Sequence, residues 1–173
     1  MTSTSSVLPR SLLGEGLYKL AYVTTDREAA IERLQAELGI EKFIPFEPSF
    51  QARTADGRTG TASLRCAYSA GRDRLLEVLQ PVEGLVDIFA APLAGASAFK
   101  LAFHHLGVLV DDLDAAKADV RKRGLTIALE SVGDGPVAFA FSEAPVPGQY
   151  IEHFHRTPAS MGLVDRVRST PLS

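Results

Sequence analysis

Three things are scarce in this chain of 173 residues, and each scarcity closes off a class of protein. There is one cysteine, Cys66, so no internal disulfide can form and a reducing, cytoplasmic setting is the expectation. No apolar run approaches the roughly 20 residues that a membrane-spanning helix needs, so no membrane partner is expected. Net charge is small, −3 with a pI of about 5.8, so nothing here favours a nucleic-acid partner, which would call for a basic face. The opening Met1–Arg10 has no charged start leading into an apolar stretch, so no secretory signal is expected. What remains is an ordinary globular composition, 46% hydrophobic and 23% charged. Its length suits one domain, or two small half-domains sharing a core.

Against that plain background the chain says nearly the same thing twice. Tyr18–Ala30 and His104–Ala116 align without a gap, about 86 residues apart. Each is an apolar run that breaks on acidic or hydroxylated residues and enters a helix. Each copy also closes on a short strand with a glutamate among apolar neighbours, Glu77 in Leu75–Leu79 and Glu152 in Tyr150–Phe154. One carboxylate per copy suggests a site built between the copies.

The first copy opens with a strand over Leu17–Thr24. Thr25 and Glu28 have capping-box spacing, which predicts a helix start there. Ile31, Leu34 and Leu38 would share the buried helical face, and Gly39 would end the helix. In the second copy Asp111 or Asp112 caps, Leu113, Ala116 and Val120 line one face, Arg121–Arg123 suit the negative end of the helix dipole and Gly124 stops it. Strand-like runs follow each helix: 42–46, 62–69 and 74–79, then 125–129, 137–141 and 149–155, with Gly133–Pro136 as a hairpin-like turn. The order is βαβββ, twice. The expected organisation is a flexible arm over 1–15, a first module over 16–80, a linker over 81–101 with a short helix near Val86–Ala90, a second module over 102–156 and an unassigned tail over 157–173.

Four positions are equivalent in the repeat: Lys19 with His105 on the opening strands, and Glu77 with Glu152 on the closing strands. Imidazole and carboxylate suit a divalent ion, neutral nitrogen with anionic oxygen. Two converging carboxylates without a cation between them raise at least one pKa, which suits a general acid or base. Strand side chains alternate, so of His104 and His105 one should point in and one out. His153 and His155 share the face opposite Glu152 and should lie on the outer or helix-packed side. Cys66 reads as a small core residue. Phe103, Phe139, Phe141, Phe154 and Tyr68 could line an apolar pocket. Ser97 and Ser131 lie in no nucleophile motif, and Gly133–Gly135 lacks phosphate-loop spacing.

These residues resemble the vicinal oxygen chelate superfamily, which holds glyoxalase I, methylmalonyl-CoA epimerase, extradiol dioxygenases and the bleomycin and fosfomycin resistance proteins. The stretch His104–Ala116 is similar to the opening of its modules, and Leu76–Gln80 and Gly148–Phe154 to its glutamate-bearing strands. The likeness spans roughly Leu17–Arg156 and is nearest to the epimerase-like glyoxalase group. It implies an α+β fold: tandem βαβββ modules forming one cup-shaped, curled mixed sheet with helices outside. It implies metal ligands at His105, Glu77 and Glu152. The fourth ligand position, usually His or Gln, is Lys19 here, and an ammonium is no ligand.

Two arrangements follow. His105, Glu77 and Glu152 hold a divalent metal ion while Lys19 contacts a substrate oxygen or moves a proton. Or Lys19 pairs with a glutamate and the site is metal-free. The resemblance then implies an isomerase, epimerase or lyase acting on a small carbonyl compound through an enolate, with Glu77, Glu152 or Lys19 moving the proton and Lys19, Tyr68 and Phe141 contacting the substrate. The alternative from a different class is a non-catalytic binding protein of the resistance type. The family's assemblies make a homodimer an expectation too, with modules paired within or between chains.

Overall fold

The structure is a computed structural model that describes residues 16–71 and 74–169. The expected arm over 1–15 lies outside the described residues. The first copy contains strand β1 (Leu17–Thr24), helix α1 (Arg27–Leu38), and strands β2 (Ile44–Phe46), β3 (Ser49–Thr54), β4 (Thr59–Ala70) and β5 (Leu75–Gly84). A short helix α2 (Asp87–Ala90) and a 3-10 turn (Ala91–Leu93) lead to the second copy. That copy contains β6 (Leu101–Val110), α3 (Leu113–Lys122), β7 (Ile127–Ser131), β8 (Phe139–Glu143) and β9 (Tyr150–His155). The tail left unassigned from sequence forms α4 (Pro158–Ser169).

Eight strands close into a ring, β3-β4-β5-β1-β6-β9-β8-β7 and back to β3. The β1–β5 and β6–β9 pairs are parallel and the rest antiparallel, so the sheet is mixed. Two seams join the copies within one chain, β1 against β6 and β3 against β7. Strand β2 extends β3's side of β4, interrupted at Glu47 and Pro48. The main core lies inside the ring. Helices α1 and α3 cover it outside, through Ala30 and Leu34 on Val78 and through Val120 on Ile127 and Ala140. Helix α4 adds Val164 and Val167 to the main core, each contributing roughly 1.5–3 kcal/mol by leaving water.

Several local expectations change. The N-cap of α1 is Asp26, whose side chain accepts from the Ala29 amide. Thr25 is committed elsewhere, its hydroxyl accepting from the Lys100 amide at 2.9 Å. The buried face of α1 is Arg27, Ala30 and Leu34, and Leu38 is exposed. Arg27 takes the buried place because its guanidinium donates to the Cys66 carbonyl while its own amide donates to Gln80. In the second copy Asp112 is the cap. Strand β3 had no clear apolar signal, since its one fully buried side chain is the small Ala52.

Candidate active site

The site starts from a fault in each opening strand. Between Leu17 and Lys19 the β1–β6 register slips, leaving Tyr18 as an extra residue on β1. Between Ala21 and Tyr22 it slips the other way, leaving His104 extra on β6. Bulges re-aim side chains, and these two occupy equivalent places in the repeat. Tyr18 and Lys19 are therefore both buried, as are His104 and His105. The expectation that one histidine faces out is corrected here: the bulge suspends strand alternation.

Lateral rows then bring the polar groups together. Lys19 pairs with Gly107, which pairs with Glu152. His105 pairs with Ala21, which pairs with Glu77. Adjacent strands lie about 4.8 Å apart, so long side chains two strands apart can meet only over something small. Gly107 and Ala21 are those small residues, and they too are repeat equivalents. A Cβ on Gly107 would stand 2.8 Å from Tyr18 Cε1, 2.9 Å from Lys19 Cβ and 3.1 Å from Glu152 Oε2. Gly107→Ala is expected to cost about 1–3 kcal/mol through overpacking, read as a lower urea midpoint at unchanged m-value; an unshifted midpoint would show that the row has slack.

Lys19 Nζ lies 2.6 Å from Glu77 Oε2 and 2.9 Å from Glu152 Oε2. Tyr18 donates to Glu152 Oε2 at 2.9 Å, and Tyr68 stands opposite Glu77 in the β4–β5 register. Burial alone would lower the lysine pKa, but the charges of Glu152 and Glu77 outweigh it and hold Lys19 protonated, above the ordinary value. Burial, then the Glu152 charge, pushes the Tyr18 hydroxyl well up; burial, then Glu77, does the same to Tyr68.

The histidines form a chain with a fixed sense. His104 Nε2 faces the Ile88 carbonyl at 3.0 Å, and a carbonyl can only accept, so that nitrogen carries the proton. Burial, then the adjacent His105 ring, lowers the His104 pKa to about 3; burial, then the charge of Lys19, does the same to His105. Both rings are thus neutral. His104 Nδ1 accepts, so His105 Nδ1 donates to it across 2.8 Å. His105 Nε2 is left as a bare lone pair, 3.5 Å from Glu77 Oε2 and 4.0 Å from Glu152 Oε2, with no hydrogen-bond partner.

Glu77 and Glu152 reach a cavity of about 410 Å³. Of the residues expected around a pocket, Tyr68, Phe139, Phe141 and Phe154 line it, and so does Cys66. Phe103 does not, packing instead against Tyr22. Lys19 and His105 sit behind the glutamates and do not line the cavity, so the expected contact of Lys19 with a substrate oxygen has no geometric basis. His153 is buried away from it, its Nε2 paired with Ser142 Oγ at 3.0 Å. Sequence reasoning passed over Tyr18, His104 and Gly107. The available signal was the small residue two places after each opening-strand polar residue, Ala21 after Lys19 and Gly107 after His105.

A family model described as the Glyoxalase/Bleomycin resistance protein/Dioxygenase superfamily matches residues 18–141. The chain belongs to this superfamily. Among curated proteins none matches. Among solved structures, the crystal structure of methylmalonyl-CoA epimerase from Mycobacterium tuberculosis is 19% identical, with 90% of this chain and 96% of that chain covered and a TM-score of 0.54. A methylmalonyl-CoA epimerase in complex with methylmalonyl-CoA and NH4+ is 18% identical, with 83% and 96% covered and a TM-score of 0.54. A hypothetical protein from Bacillus halodurans is 13% identical, with 82% and 94% covered and a TM-score of 0.51. These likenesses establish the glyoxalase-like fold.

A divalent ion of the kind this superfamily implies does not fit the residues as arranged. The bare lone pair of His105 is what a ligand would offer. The oxygens it would share, Oε2 of Glu77 and of Glu152, are already held by the Lys19 ammonium. An ion sharing them would stand beside a second buried cation, a repulsion of several kcal/mol. Among the described residues no group of three or more His, Cys, Asp or Glu has metal-holding geometry.

Proposed function

We propose that the protein is an isomerase or epimerase of the superfamily that moves a proton with carboxylates and without a metal. One observation carries this reading: two glutamates from the two copies reach the same cavity, and a single buried ammonium bridges them from behind. One positive charge between two carboxylates offsets their repulsion and adds a positive potential at the cavity floor, the contribution a metal makes elsewhere.

In this reading the substrate sets an acidic C–H beside one carboxylate and its carbonyl oxygen toward Tyr68. The carboxylate takes the proton, the electron pair moves onto the carbonyl oxygen, and the Tyr68 hydroxyl donates to the oxyanion. The other glutamate enters the cycle as the carboxylic acid, and transfer of its proton to the opposite face of the carbon completes an epimerisation, leaving the two groups with their protonation states exchanged. Glu77→Gln is expected to slow substrate α-proton exchange in D2O by about 10²–10⁴-fold with affinity within a few-fold of wild type. An unchanged exchange rate would remove Glu77 from the mechanism.

The second reading, a non-catalytic binding protein, is favoured by the same lysine. Glu77 and Glu152 are each tied to Lys19, and a cup tied off in this way can hold a ligand without turnover. Exchange no faster than in buffer, for every carbonyl compound that binds, would decide for it.

A further inference from the structure

The walls of the cavity restrict what it can hold. Among the described residues that line it there is no lysine, arginine or histidine; the charged ones are Glu77, Glu152 and Asp134, all acidic. Glu77 and Glu152 stand at the floor, and Asp134 is exposed in the rim turn between β7 and β8. An anion would pass one carboxylate to meet two more, with no cation on the wall to replace its water. Burial of an unpaired charge is costly.

Aromatic rings are the bulkiest part of the rest of the lining, set among aliphatic and small residues such as Leu64, Leu79 and Val137. Six of the chain's nine phenylalanines line this space, Phe46, Phe50, Phe89, Phe139, Phe141 and Phe154, and all six belong to or pack on the main core. They are ordered against one another. Phe50 meets Phe139 edge-on at 5.0 Å, Phe139 meets Phe141 at 5.7 Å and Phe141 meets Phe89 at 5.4 Å. Phe46 lies flat on Tyr68, 4.7 Å between centroids. Such walls present ring edges and faces to a guest, which favours another ring. The Tyr68 hydroxyl and the two carboxylates at the floor suit a polar group at the inner end of a guest, while the polar side chains of Ser49, Gln51 and Asp134 stand at the exposed rim.

We infer that the ligand is an uncharged ring molecule carrying a ketone or hydroxyl at one end, and that an anionic acyl-CoA thioester is refused. This deepens the proposed function by naming a substrate class and rests on the same cavity.

Isothermal titration calorimetry with three probes tests it: 2-tetralone, a neutral fused-ring ketone; 2-naphthoate, an anion of nearly the same shape; and methylmalonyl-CoA. Saturable binding of 2-tetralone is expected, with 2-naphthoate at least about tenfold weaker and methylmalonyl-CoA silent. Val137→Trp, at the half-buried rim, should weaken 2-tetralone at least about tenfold while its far-UV spectrum stays that of wild type. Either anion binding as tightly as 2-tetralone, or no binding of 2-tetralone, overturns the inference. Deuterium exchange at the ketone's α-carbon is read in the same samples. Binding without exchange above the buffer rate supports the ligand class and counts against the catalytic reading.

Discussion

With Lys19 replaced by glutamine, the protein is expected to lose stability in chelator and regain it with cobalt or zinc. The substitution leaves two carboxylates, each 4% exposed, without their cation. Removing one partner of a buried ion pair costs about 3–5 kcal/mol, which for a chain of this length lowers Tm by on the order of 10 °C. The same change empties the space that the ammonium holds. The His105 lone pair, Glu77, Glu152 and the new amide oxygen then make a donor set suited to a divalent ion. Added Co2+ should raise the variant's Tm by several degrees and give visible d–d absorption at one equivalent, with wild type unmoved. Equal stabilisation of wild type by Co2+ would show that Lys19 does not keep the metal out.

Acid should unfold the wild-type protein at unusually mild pH. His104 and His105 are held near 3 in the folded chain, chiefly by burial, against about 6.5 when unfolded. A depressed histidine pKa means that the unfolded chain binds more protons between those values. Stability therefore falls as pH drops below 6.5 and is unaffected above it. Each histidine contributes about 1.4 kcal/mol per pH unit, and burial lowers His153 in the same direction. Two units of acidification then cost about 5 kcal/mol, a large share of the 5–15 kcal/mol typical of a domain. Urea midpoints at pH 7 and pH 5 measure the slope, and His105→Gln should flatten it. Equal midpoints in wild type at the two pH values would mean that the pair already carries charge when folded.

The duplicated fold was legible because its signal is carried by long apolar stretches, Leu17–Thr24 and Leu101–Val110, and by helices with clear stops such as Gly39, which adopts the left-handed conformation at φ 65°. Strand β3 was not, since Phe50 and Ala52 alone mark its inner face. The sequence could also name the four polar positions, Lys19, His105, Glu77 and Glu152, which the structure brings within 4.0 Å of one another as pairs. It left open whether Lys19 faced a substrate or a glutamate. That depends on register: Lys19 reaches Glu152 only because the bulge at Tyr18 sets it level with Gly107. His104 was hidden for the same reason. A bulge adds a residue without any compositional mark, and a rule of alternation applied across it assigns the wrong face.

The repeat that builds this ring would, left identical in its halves, present a guest with two interchangeable sides. The opening strands end that equivalence, with Tyr18 and Lys19 in one half where the other has His104 and His105. The half that begins with Lys19 puts a positive charge under the floor, and the half that begins with His105 puts an uncharged lone pair there. Glu152 has Tyr18 as a donor, whereas Glu77 faces Tyr68 and His105. A planar guest lying between them meets different chemistry on its two faces, so the chamber is handed even though its scaffold is nearly symmetric, and a prochiral molecule would enter it one way up.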